Sequence, residues 1–140
     1  MRIIVLSIIL LASCGLQNVS VTRKFTFYKD NRPSDLKFRV PKGYNDEKVK
    51  VGIDAKEQFY VYPDGSILFI GLNVHWPTTN EVRNLLPLRD TLTAAIYKGI
   101  DSSGLHWKEI YIDGFVVGYS FVPSSKRESF EQAVHSIRFR

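Results

Sequence analysis

An almost unbroken apolar run, Ile3 to Leu11, opens the chain, interrupted only by Ser7. From Lys24 the pattern changes to alternation. Phe25 and Phe27 share one face of a strand that reaches Tyr28, and Leu36, Phe38 and Val40 alternate with Lys37 and Arg39. Val49, Val51 and Ile53 repeat this between Lys48, Lys50, Gly52 and Asp54. Gln58 to Tyr62 and Ser66 to Val74 flank Pro63-Asp64-Gly65. There proline presets one turn dihedral and glycine supplies a positive φ, so a hairpin is expected. Three more strands follow: Thr91 to Ile100, Leu105 to Ile112 and Phe115 to Val122. Asp101 to Gly104 reads as a turn, and Asp113-Gly114 suits a tight type I′ turn.

Helical spacing occurs twice. Thr78 and Glu81 have capping-box spacing ahead of Val82, Leu85 and Leu86, and Pro87 cannot continue a helix, which predicts a short helix at 79–86. Near the C terminus Pro123 ends a strand and Ser125 and Glu128 form a second capping box. Phe130, Ala133, Val134 and Ile137 then fall at i, i+3, i+4 and i+7, an apolar stripe that needs a sheet to cover. The fold class is α+β: an antiparallel sheet of about six to eight strands, a short middle helix, and a C-terminal amphipathic helix packed on the sheet. The 140 residues suit one domain, and 44 % hydrophobic with 13 % aromatic content supports a packed core.

The opening apolar run is too short to cross a bilayer as a helix, which takes roughly 20 residues. With Arg2 before it and small residues after it, the segment has the form of a signal peptide. Leu11-Ala12-Ser13-Cys14 resembles the lipobox of bacterial lipoproteins. That resemblance implies removal of residues 1–13, diacylglycerol on the Cys14 sulfur and acylation of the new amino terminus. Two or three acyl chains hold a protein stably on a membrane where one does not. An ordinary secretory signal, or an uncleaved anchor, is the alternative. Gly15 follows Cys14 in place of a retaining aspartate, which favours the outer membrane if the host has two. Residues 14–22 form the acylated cysteine and a tether, and 23–140 a single α+β domain. Residues 15–22 extend to at most about 26–29 Å, so the domain sits close to the lipid.

The formal net charge is +5, and losing Arg2 leaves 18 basic against 14 acidic residues. The basic residues are scattered, which argues against a nucleic-acid partner and fits a surface beside anionic lipid. Cys14 is the only cysteine, so no internal disulfide and no CxxC site exists. His75, His106 and His135 show no metal-ligand spacing, and there is no GxSxG serine or phosphate-cradling glycine loop. No catalytic residue, metal or cofactor is assigned, and the reading is non-enzymatic. His75-Trp76 and His106-Trp107 form a repeated pair. If their strands were adjacent they could line one pocket; otherwise each tryptophan is a core or rim aromatic beside a surface histidine. Glu109, next to Lys108, is expected as a cross-strand partner. The seven tyrosines could make a recognition face or sit at the core margin.

From Phe25-Thr-Phe through Leu36-Lys-Phe-Arg-Val-Pro-Lys-Gly-Tyr44 to Ser136-Ile137-Arg138-Phe139, the order of elements resembles the Mog1/PsbP-like fold. That family has binding and assembly roles without a shared catalytic site, so the resemblance implies no particular ligand. Three functions follow in order of support. The first is a non-catalytic interaction or assembly module of the cell envelope with a protein partner. The second is a small-ligand binder with a pocket near Trp76 and Trp107. The third is an envelope hydrolase, which would need His75 or His106 within reach of a carboxylate or hydroxyl in a cleft. The oligomeric state has no signature.

Overall fold

The computed structural model describes residues 20–29, 32–52, 55–73 and 95–138, the Lys29 side chain excepted. The apolar leader and Cys14, the helix expected at 79–86 and the His75-Trp76 pair lie outside the described residues. Among the described residues the strands are β1 (Ser20–Lys29), β2 (Arg32–Pro41), β3 (Asp46–Val51), β4 (Lys56–Val61), β5 (Ile67–Leu72), β6 (Ala95–Ile100), β7 (His106–Ile112) and β8 (Phe115–Val122). One helix, α1 (Arg127–His135), follows them. All the pairings are antiparallel. The strands divide between two sheets: β1 and β2 stand alone as a long hairpin, and the other six run in the order β3-β4-β5-β8-β7-β6. The class is α+β and mostly antiparallel.

The turns form where turn chemistry requires them. Asp113 (φ 48°) and Gly114 (φ 80°) both occupy the left-handed region, as a type I′ turn demands. At Pro63–Gly65 the Gly65 amide donates to the Tyr62 carbonyl and the Asp64 carboxylate accepts from the Ser66 amide. Asp101 accepts the amides of Ser103 and Leu105 in the same manner.

The hairpin and α1 cover one face of the six-stranded sheet. Phe25, Leu36, Phe38 and Val40 from the hairpin and Phe130, Ala133, Val134 and Ile137 from the helical segment meet Tyr60, Leu68, Ile70, Val117 and Tyr119. The C-terminal stripe is therefore buried as its spacing predicts. The capping box is not formed. The N-cap is Lys126, without a side-chain cap bond, because residues 124–126 are still a turn and helical pairing starts later than Ser125 implies. The ring of Phe130 lies 5.0 Å from Tyr62 and 5.8 Å from Tyr119. The Ser136 hydroxyl accepts the Arg39 amide at 2.7 Å, tying the helix end to β2. Beneath α1 the Lys108 ammonium donates to Glu131 Oε2 at 2.5 Å and the Tyr119 hydroxyl to Glu131 Oε1 at 2.9 Å.

The opposite sheet face carries a second apolar cluster of Phe69, Tyr111 and Val116, with Phe59, Ile67, Ala95 and Tyr97 against it. Lys108 and Glu109 point to opposite faces of the sheet. Glu109 is fully buried and accepts the Tyr111 hydroxyl at 2.5 Å, while Lys108 serves Glu131. Gly118, across from Glu109, cannot carry a side chain: a Cβ there would collide with the Lys108 carbonyl oxygen. The tyrosines do not form a recognition face. Tyr60, Tyr62, Tyr111 and Tyr119 are core, and Tyr28 alone is exposed. Strand alternation sends the four inward, where their hydroxyls find Gln58, the Pro41 carbonyl, Glu109 and Glu131.

Candidate functional site

A solvent-open cleft of about 610 Å³ lies where the outer part of the hairpin meets the ends of β5 and β8. Its volume falls within the roughly 300–1,000 Å³ of small-molecule sites. Phe27, Leu36, Leu72 and Phe115 give it an apolar floor. Strand alternation places them there: Phe27 and Leu36 face inward from the paired hairpin strands, and Leu72 and Phe115 face each other across the β5–β8 ladder. Phe27 and Phe115 meet edge to face at 5.0 Å, which holds the floor in one arrangement.

The rim is polar. Asn73 and Asp113 form one wall, locked by the hydrogen bond from the Asn73 amide to the Gly114 carbonyl at 2.8 Å. Asn73 (φ 53°) and Asp113 both take left-handed backbone, which Asn and Asp tolerate better than most residues. Asp35 stands on the hairpin side and bonds Lys24 at 2.5 Å and Thr26 at 2.7 Å. Those two partners hold its carboxyl below the ordinary carboxylate value. Lys37, whose charge also acts on Asp35, and Arg138 complete the rim, and neither makes an ion pair among the described residues. With Asp35 already matched by Lys24, the rim offers two cations against Asp113. The arrangement suits an amphipathic ligand, apolar body inward and polar head toward Arg138, Lys37 and the Asn73–Asp113 wall.

The histidine–tryptophan pair from the sequence lies elsewhere. His106 and Trp107 begin β7, at the end of the sheet away from the Asp113-Gly114 turn, and neither lines the cleft. Consecutive strand residues point to opposite faces, so the two do not share a wall. Trp107 is 5 % exposed and lies over Gly99, where a Cβ would stand 2.8 Å from the indole. It is a packed aromatic. The His106 ring and the Ser124 hydroxyl lie 3.0 Å apart on an exposed surface. Among the described residues no carboxylate orients that imidazole. The two β8 residues opposite Trp107, Ser120 and Phe121, form a bulge with Phe121 in left-handed backbone at φ 58°. His135, expected at the surface, is exposed and approaches Glu131 at 3.4 Å.

Among the described residues no cluster of three metal-ligand side chains occurs, and no helix is long and apolar enough to cross a membrane. The described residues form a small α+β unit with a ligand-sized concavity between hairpin and sheet. No family model, no curated protein and no solved structure matches the chain.

Proposed function

We propose that this protein is a lipid-anchored, non-catalytic binding module of the bacterial cell envelope, and that its cleft takes a small amphipathic ligand. The observation that carries the second half is the cleft itself, an apolar floor of Phe27, Leu36, Leu72 and Phe115 beneath a convergent polar rim. The anchoring half rests on the lipobox Leu11-Ala12-Ser13-Cys14 after its apolar run. Together they describe a domain held near the headgroup layer, where amphipathic molecules are concentrated. An assembly role with an envelope protein is the second reading, favoured by the few residues between Cys14 and β1, which starts at Ser20, and by β6 standing at the end of the sheet among the described residues.

Two assays test the proposal. Cells fed an alkyne palmitate analogue should label the wild-type protein and leave the Cys14→Ala variant unlabelled; equal labelling of both would defeat the anchoring claim. N-phenyl-1-naphthylamine titrated into the purified protein should show saturable fluorescence. Ser34→Trp places an indole in the cleft without removing its floor, and should abolish the signal while leaving the unfolding midpoint near wild type. A signal indifferent to Ser34→Trp would defeat the ligand claim.

A further inference from the structure

We propose that the outer edge of β6 accepts an extended segment of another protein as a seventh strand, with side chains alternating apolar, acidic, apolar. This goes beyond the cleft, of which β6 lines no part. Among the described residues the six-stranded sheet ends at β3 and at β6, and the two ends differ. Four of the six β3 residues are charged, Asp46, Glu47, Lys48 and Lys50, and charged side chains on an edge oppose strand addition. Although Val49 and Val51 are exposed on β3, Lys48 and Lys50 occupy its other face. β6 reads AIYKGI and carries one charge, Lys98.

Ile96 and Ile100 are 60 % and 62 % exposed and flank Lys98 on the same face. All three are in register with β7: Ile96 is opposite Ile110, Ile100 opposite His106, and Lys98 opposite Lys108, whose charge Glu131 already matches, so the local field at Lys98 favours an acidic neighbour. Alternate residues of an edge strand turn their N–H and C=O groups away from the sheet. An added strand would bring its side chains to within about 4.5–5.5 Å of Ile96, Lys98 and Ile100. Lys98 makes no ion pair among the described residues, so a carboxylate between two apolar side chains is the matching pattern. A second copy of this chain fits poorly. Antiparallel pairing about Lys98 would set Ile96 against Ile100 but Lys98 against Lys98, and directly opposed like charges destabilise a ladder.

The test uses the full-length lipoprotein in nanodiscs and two synthetic peptides of about nine residues, the length of an ordinary added strand. Both alternate valine with threonine; the central valine-face residue is glutamate in one and lysine in the other. The glutamate peptide should bind roughly fivefold tighter or more. It should protect β6 amides from exchange, and Lys98→Glu should invert the preference. Lys98 is exposed, so the variant retains the fold. The proposal is overturned if neither peptide binds, if both bind alike, or if Lys98→Glu leaves the order unchanged. Concentration-dependent protection of β6 in the protein alone would overturn it too, in favour of self-pairing.

Discussion

Replacing Glu131 by glutamine leaves the Lys108 ammonium beneath α1 without a counter-charge. The Lys108 side chain is 8 % exposed and that of Glu131 22 %, with 2.5 Å between the charged atoms. Removing one partner of a buried pair costs about 3–5 kcal/mol, mostly because the remaining charge stays desolvated. Water reaches Glu131 in part, so about 2–3 kcal/mol is expected here. The side-chain carbonyl of the introduced glutamine would still accept the Tyr119 hydroxyl, which keeps the loss specific to the charge. Adding Lys108→Met removes the stranded ammonium, and the double variant should return to within about 1 kcal/mol of wild type. Burial alone pushes the Glu131 carboxyl up, but the Lys108 and Tyr119 hydrogen bonds outweigh it and hold the group below its ordinary 4.5. A depressed carboxylate contributes stability above its unfolded value and loses it as pH falls through the folded one. The gap between wild type and Glu131→Gln should therefore be full near neutral pH and narrow as pH drops below 4.5. Urea unfolding followed by circular dichroism measures each midpoint. A cost under about 0.5 kcal/mol, no recovery in the double variant, or a gap unchanged in acid would show that the pair carries no buried charge.

Other perturbations follow from the packing. Gly118→Ala should cost more than about 3 kcal/mol, because its Cβ would collide with the Lys108 backbone carbonyl and a paired strand cannot step aside. Gly99→Ala meets only the Trp107 indole, which can tilt, and should cost about 1–2 kcal/mol with a shift in tryptophan emission. Similar costs at the two glycines, measured by urea midpoint, would contradict this distinction. Ser120→Ala removes a buried hydroxyl that has no partner among the described residues, and should be neutral or stabilising by up to about 1 kcal/mol. Phe130→Ala empties the ring-lined site between Tyr62 and Tyr119 and should cost about 3–5 kcal/mol in the same assay.

Local chemistry was legible in this sequence and convergence was not. Alternation placed β2 at Leu36–Val40, because a half-buried strand has period two; it also marked β3, although every β3 residue is exposed, while β5 and β8 are buried on both faces. Asp113-Gly114 announced its turn because few other pairs accept two positive φ values. The Phe130 stripe announced a helix on a sheet. The capping box misled because Ser125 has the right spacing yet lies in a preceding turn, a difference only backbone dihedrals reveal. The division into a separate hairpin and a six-stranded sheet was illegible, since alternation says which face is buried and not which strands pair. The same limit hid the cleft. Phe27, Leu72, Phe115 and Arg138 lie far apart in the chain and meet only through the β5–β8 ladder and the packing of the hairpin. The His106-Trp107 pair repeats His75-Trp76 in the sequence, and strand geometry turns the His106 and Trp107 side chains to opposite faces, which repetition alone does not reveal.

The most direct test of the binding claim is native mass spectrometry of the acylated protein purified from its own envelope, compared with Ser34→Trp purified alongside. A non-covalent small-molecule adduct is expected on the wild-type protein and absent from the cleft-filling variant. A bare wild-type mass, or an adduct retained with the cleft filled, would contradict the binding claim.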